Sequence, residues 1–241
     1  MEGPGVKVIS ERLKFLEGAT ITSIVGNSKK VNKDEFPGKT IELVFSHGKN
    51  LIIKVEKVGN LRVHFLMYGS FSINKVIKNE KYLRLGIKTT RGDVYFYNCA
   101  VDLHKDLPFR GQDILLENYD EEESLQRLKS FRGLICDALL DQDLFPGVGN
   151  IIKVEALFRS RIHPESETNR IPEDKLRELI RKTREFSYIF YDFRKKGYSL
   201  KENLTIYAKK YCIFCGSHVK RKKTGTKNRI SYFCETCQYK Y

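Results

Sequence analysis

A chain of 241 residues with 41% hydrophobic and 12% aromatic side chains can bury one large or two modest cores, which excludes disorder as its default state. Its 44 Lys and Arg against 30 Asp and Glu leave a formal charge of +14, a field that gathers polyanions such as nucleic acid or an anionic membrane surface. No apolar run reaches the roughly 20 residues of a bilayer span and no signal-peptide pattern opens the chain, so the expectation is a soluble intracellular protein with nucleic acid as leading partner and no membrane.

In chain order, the opening MEGPG sets Glu2 beside the terminal amine in a Gly- and Pro-rich stretch that reads as a fixed turn. A helix is predicted in VISERLKFL, where Val8, Leu13 and Leu16 fall within helical reach. From about Val6 to Leu103 short β-rich runs alternate with turn signals: ATITSIVG, KTIELVF, NLIIKVEK, LRVHFLMYG, YLRLGIKTT and DVYFYNCAV. That texture predicts an antiparallel sandwich or barrel. After Leu103 comes the acidic link ENYDEEES, then LQRLKSFRGLICDALLDQ, in which Leu125, Leu128, Leu134, Ile135 and Leu139 recur at helical spacing. The turn FPGVGN leads into a helix, IIKVEALFR, and a longer one follows, with Pro172 near its first turn and basic residues and Gly197 at its end. The fold class expected is α+β. Residues 1–120 read as a β-sandwich domain, 121–205 as a helical domain and 206–241 as a zinc finger.

Six cysteines would suit a disulfide framework, but four of them form two tight pairs while Cys99 and Cys136 stand alone. Cys212-x2-Cys215, eighteen residues, and Cys234-x2-Cys237 have the spacing of a four-thiolate zinc site. A closed four-sulfur shell leaves no position for water, so the Zn2+ expected here is structural. The loop between the pairs carries Lys220, Arg221, Lys222, Lys223, Lys227 and Arg229, flanked by Tyr232 and Phe233. A charge run is commonly a solvated face, but a metal-ordered basic hairpin favours contact with DNA or RNA phosphates.

In ALLDQDLFPGVGNIIKVEALF, Gly147 and Gly149 would let the backbone approach an anion at the start of the next helix, with Asn150 adding a side-chain donor. The residues alone allow two readings, a phosphate cradle or an ordinary helical hairpin.

Together these pieces resemble a family. LLDQDLFPGVGNIIKVEALFRSRIHP resembles the helix–two-turns–helix signature of the formamidopyrimidine/endonuclease VIII DNA glycosylases, MEGP resembles their amino terminus, and NRISYFCETC resembles their zinc finger. The order matches nearly end to end, and the nearest subgroup is the endonuclease VIII-like type 3 proteins. The resemblance implies a bifunctional DNA glycosylase/AP lyase that flips a damaged base, attacks the sugar C1′ with the N-terminal amine, forms a Schiff base, releases the base and nicks the strand by β-elimination. By the same resemblance Met1 supplies the amine and Glu2 handles protons on the ribose. Lys49 in FSHGKNLII contacts phosphate near the lesion, Asn150 and Arg229 form a phosphate clamp, and Met67 in HFLMYGSF fills the gap left by the flipped base.

Three departures qualify these expectations. Family members commonly carry proline after the initiator methionine, whereas here Glu2 follows Met1 directly, so a primary α-amine takes the nucleophile's place. No Arg and Phe pair for filling a duplex stands in DVYFYNCAVDLHKD, which points to single-stranded or unpaired lesions. The path from Gly197 to Cys212 is short for a long lesion-recognition loop, which favours oxidised pyrimidines and hydantoins over 8-oxoguanine. A monomer is expected. The rival reading is a catalytically weak zinc-containing module that binds damaged or unpaired DNA. The histidines, His64 among them, read as structural or surface residues.

Overall fold

The computed structural model describes residues 1–241, and the chain divides into two compact units. One comprises Met1 and Gly3–Phe109; the other comprises Glu2 and Arg110–Tyr241.

The first unit is a β-sandwich. Helix α1 (Gly3–Arg12) buries Val6 and Ile9 and is followed by a 3-10 turn at Lys14–Leu16. Gly3, Pro4 and Gly5 of the opening MEGPG therefore lie in the first helical turn rather than in a separate one: Pro4 needs no amide partner at the start of a helix and its φ is already helical. The helix also begins earlier than VISERLKFL suggested, so that Val6 and Ile9, not Val8, face the core. Strands β1 (Ile21–Val25), β5 (Ser70–Ile73), β6 (Leu83–Thr89) and β7 (Gly92–Tyr97) form one sheet in the order β1-β6-β7-β5. Strands β2 (Ile41–His47), β3 (Asn50–Val55), β4 (Gly59–His64) and β8 (Ala100–His104) form the other in the order β2-β3-β4-β8. All neighbours run antiparallel. Leu51, Ile53, Leu61, Val63, Leu85, Ile87, Val94 and Phe96 meet in one apolar core, as inward-facing positions of two stacked sheets should. Two of the six sequence runs split: LRVHFLMYG ends β4 before the Phe65–Gly69 turn, and DVYFYNCAV breaks at Asn98, where φ is +51°.

The second unit is helical with a β-hairpin. Helix α2 (Glu121–Ser130) begins inside the acidic link, with Asp120 accepting from the amides of Glu122 and Glu123. LQRLKSFRGLICDALLDQ is not one helix: Gly133 adopts φ +141° and only the short α3 (Ile135–Ala138) follows. After the FPGVGN turn come α4 (Asn150–Arg159) and α5 (Glu173–Lys196). Helix α5 has Pro172 as its N-cap and ends on Gly197 in the left-handed conformation. Its Leu176, Leu179, Ile180, Phe186 and Phe190 line the buried stripe that packs with Leu125, Leu139, Phe145 and Ile152. The hairpin is β9 (Lys220–Thr224) with β10 (Arg229–Phe233), and a small apolar cluster of Val154, Phe158, Ile206, Cys212 and Cys234 joins the cysteine module to α4. No helix is long and apolar enough to cross a membrane.

Candidate functional site

In the first unit, the amino terminus is tied down rather than frayed. The Met1 amine donates to the carbonyl of Leu66. Met1 Cγ lies 3.1 Å from where a Cβ on Gly5 would sit, so that glycine makes room for the side chain. Leu66 belongs to the tight turn after β4, closed by the Gly69 amide on the Phe65 carbonyl at 2.7 Å; a Cβ on Gly69 would sit 2.1 Å from that oxygen. The turn presents Leu66, Met67 and Tyr68 to solvent at 50%, 68% and 78% exposure, so Met67 is not core packing. Lys49 occupies the two-residue turn between β2 and β3, where Gly48 takes φ +56°.

His64, at the end of β4, is the residue the sequence reading missed. Its Nδ1 accepts from the Leu66 amide at 3.3 Å. Burial lowers its pKa, and the terminal amine, Lys49 and Arg62 push it further down against the pull of Asp102. A neutral imidazole thus lies in the field of both Met1's amine and Lys49. The available signal was strand parity: His64 closes a strand whose next turn bears Met67.

In the second unit, the Glu2 carboxylate caps α4. It accepts from the amides of Ile151 at 2.7 Å and Ile152 at 3.3 Å, at the end of the helix whose dipole favours an anion. A Cβ on Gly149 would lie 2.2 Å from Glu2 Cδ, so glycine is needed there to admit the carboxylate. The amides that the sequence offered to a phosphate have protein partners: those of α4 go to Glu2, and that of Gly147 goes to Gln142 Oε1 at 3.3 Å. Asn150 Nδ2 donates to the Ile230 carbonyl at 2.9 Å, which joins the start of α4 to β10 one residue beyond exposed Arg229. Met1, Lys49 and Met67 therefore belong with His64 in one unit, and Glu2, Gly147, Gly149, Asn150 and Arg229 come together in the other.

The basic run of β9 is split by strand alternation. Lys220 and Lys222 share a face with buried Phe233 and Ser231, and they pair with Glu235 and Glu165. Arg221 and Lys223 share the opposite face with Tyr232 and Ile230. Beneath the hairpin, Lys153 is fully buried, its Nζ donating to Ser231 Oγ at 2.9 Å, which in turn lies 2.6 Å from Thr224 Oγ1.

Burial pushes the Lys153 ammonium down to about 8, with Cys136 opposing and Arg229 adding to the shift. The unfolded chain keeps that proton to about 10.4, so between pH 8 and 10 the unfolded state binds more protons and stability rises with pH. Lys153→Met should flatten this rise, a difference of up to about 3 kcal/mol across the window. Melting curves of both proteins from pH 7 to 10 check it; parallel profiles would refute it.

The four clustered cysteines bring their sulfurs within 4.8 Å of one another, with Cys212 to Cys237 at 3.8 Å and Cys215 to Cys234 at 3.5 Å. A disulfide needs about 2.05 Å, whereas a tetrahedron of about 2.3 Å metal–sulfur bonds has edges of about 3.8 Å. The donor set and spacing fit a metal ion. Cys99 and Cys136 are buried elsewhere, and burial pushes the Cys99 thiol up to about 12, as befits an inert core residue.

Comparison with known proteins finds two family models in chain order. Residues 1–101 match the formamidopyrimidine-DNA glycosylase N-terminal domain, and residues 111–186 match the formamidopyrimidine-DNA glycosylase H2TH domain. The chain is 33% identical to Endonuclease 8-like 3 of Xenopus laevis over 74% of its own length, and 28% identical to that of Homo sapiens over 99%. It spans 31% and 46% of those proteins, less than half of each. The solved structure of Lactococcus lactis formamidopyrimidine-DNA glycosylase, bound non-covalently to DNA containing an AP site, superposes with a TM-score of 0.87 at 27% identity, covering all of both chains. With two domain models matched in order, four cysteines placed to hold a metal ion and this backbone agreement, the chain belongs to the formamidopyrimidine/endonuclease VIII family of DNA glycosylases.

Proposed function

We propose that this chain is a bifunctional DNA glycosylase and AP lyase acting on oxidised pyrimidines and hydantoins in single-stranded or unpaired DNA, with Met1 as nucleophile and Zn2+ as a structural ion on Cys212, Cys215, Cys234 and Cys237. The observation that carries this reading is the fixing of the terminal pair: the Met1 amine on Leu66 and the Glu2 carboxylate on the first amides of α4. An α-amine has a reference pKa of about 7.7–8.0, so roughly a quarter is neutral near pH 7.4, against about one part in a thousand for a lysine. The neutral amine attacks C1′, the C1′–N bond to the base breaks, and the base leaves with a proton. The Glu2 carboxylate takes up the proton that the attacking amine loses and delivers it to O4′ as the sugar ring opens to the Schiff base. Loss of a C2′ proton then expels the 3′ phosphate, which nicks the strand, and water hydrolyses the imine to restore the amine.

Around this step Lys49, Asn150 and Arg229 hold phosphates, while exposed Met67 enters the gap left by the extruded base. A closed four-thiolate shell supplies rigidity and no Lewis-acid chemistry. The preference for unpaired DNA is supported by the connection from β7 to β8, which consists of Asn98 and buried Cys99 alone. It has no room for further wedge residues, and unstacking a duplex base costs a few kcal/mol.

Borohydride reduction with a single-stranded oligonucleotide containing an abasic site, followed by mass spectrometry of the N-terminal peptide, tests the reading. An adduct on Met1 supports it, and tight binding without an adduct would replace it with a silent DNA-binding module. Cleavage of an oxidised pyrimidine should be about tenfold or more faster in the single strand than in the matched duplex; the reverse order would remove the strand preference.

A further inference from the structure

The turn joining β9 to β10 is held by a carboxylate to which the proposed reaction gives no task. Asp137 in α3 is 4% exposed. Its Oδ2 accepts from the Thr226 amide at 2.8 Å and its Oδ1 from the Lys227 amide at 3.0 Å. Gly225 takes φ +67°, and a Cβ there would lie 2.4 Å from Asp137 Oδ1, so the turn is shaped around this side chain. Lys227 Nζ donates back to the Leu140 carbonyl at 3.1 Å, just beyond α3. The next residues are Asn228 and Arg229, and then Ile230, whose carbonyl is held by Asn150. The backbone of Arg229 is thus bracketed by Asp137 on one side and Asn150 on the other, while Lys153 and Ser231 fix the strand beyond it.

We propose that Asp137 is a positioning residue for DNA binding, acting through the β9–β10 turn to set the place of Arg229 against the phosphate backbone. This rests on the reading of Arg229 as a phosphate contact. A carboxylate beside a DNA-binding hairpin is electrostatically adverse, since it subtracts one charge from a surface that gathers phosphates. Its two bonds to backbone amides give a compensating order, because charge-assisted acceptors are the stronger ones and Arg229 then reaches its phosphate without first losing backbone freedom. Electrostatics and positioning therefore predict opposite signs for Asp137→Asn. The added positive charge alone would tighten binding and steepen its salt dependence. Asn keeps one acceptor but sets an NH2 against the other amide, and breaking the two-amide anchor in this way weakens binding and makes the salt dependence shallower.

The experiment measures Kd of the full chain for a single-stranded abasic oligonucleotide over a range of salt. It uses the wild type, Arg229→Ala, Asp137→Asn and the double variant, with bound metal and melting temperature recorded for each. Arg229→Ala should weaken binding and reduce the slope of log Kd against log salt by about 0.7. Asp137→Asn should weaken it about tenfold with a similar loss of slope, and the double variant should fall well short of the product of the two. Covalent trapping at saturating DNA should be unchanged in Asp137→Asn. Tighter binding, an unchanged slope or full additivity overturns the proposal. If Arg229→Ala changes neither Kd nor slope, the clamp reading of Arg229 itself fails, a result separable from the failure of Asp137 alone. Gly225→Ala drives a Cβ into the same carboxylate from the hairpin side; should Asp137→Asn lose its metal or fold, unchanged affinity in Gly225→Ala overturns the proposal and a matching loss supports it.

Discussion

Acetylating the α-amine of Met1 is expected to abolish the borohydride-trapped adduct, with a fall of at least about 100-fold in trapping rate. Acetylation turns the amine into an amide, whose lone pair is delocalised and cannot add to C1′. It leaves one N–H for the Leu66 carbonyl, so the local fold keeps its anchor. A lysine at its reference pKa is a poor substitute at neutral pH because so little of it is unprotonated, and Lys153 is buried. Affinity for abasic DNA should change only a few-fold, since Lys49, Asn150 and Arg229 are untouched. Gel trapping, with binding measured in parallel, reads both quantities. Undiminished trapping by fully acetylated protein would remove Met1 from the reaction and direct the search to Lys49. Glu2→Gln supplies a second readout: the carboxamide can still accept from an α4 amide, but it cannot carry the proton to O4′, so chemistry should slow while binding holds.

How far this site could be read from sequence depended on where each partner lies along the chain. The cysteine pairs, the Pro172 to Gly197 helix and the alternating strands were legible because their signals sit within a few residues of one another. The interior of LQRLKSFRGLICDALLDQ was not, since helical spacing continues through Gly133 while the backbone there turns to φ +141°. Glu2 looked like a terminal acid and Gly149 like part of a phosphate loop, yet each explains the other across 147 residues. Nothing in the local sequence sets Asp137, Lys153 and Glu155 apart from other charged positions. All three are buried, because the groups that satisfy them arrive from 50 to 90 residues further on. His64 was passed over because its neighbours, a chain terminus and a hairpin lysine, are brought to it only by the folding of the sandwich.

Glu155 carries the largest stability effect expected of any single side chain in the helical unit. It is fully buried on α4, and its carboxylate accepts from the amides of Thr205 at 3.0 Å, Ile206 at 3.0 Å and Tyr207 at 2.9 Å, and from the Thr205 hydroxyl. Arg159, one turn along, adds a bond at 3.4 Å. This one group satisfies the backbone of the segment that leads into the cysteine module, and it seats Ile206 among Val154, Phe158, Cys212 and Cys234. Glu155→Leu would leave three amides and a hydroxyl buried without partners, and the loss of one side of such a network costs about 4 kcal/mol. For a chain of this size that corresponds to a melting temperature lower by about 10 °C. Glu155→Gln keeps an acceptor and should lose less than half as much. Because this segment enters the module at Cys212, metal release to a chelator should quicken in parallel with the fall in stability. A Glu155→Leu protein that melts within about 2 °C of wild type and holds its metal equally well would mean that the carboxylate does not anchor the module, and that Ile206 packing alone does.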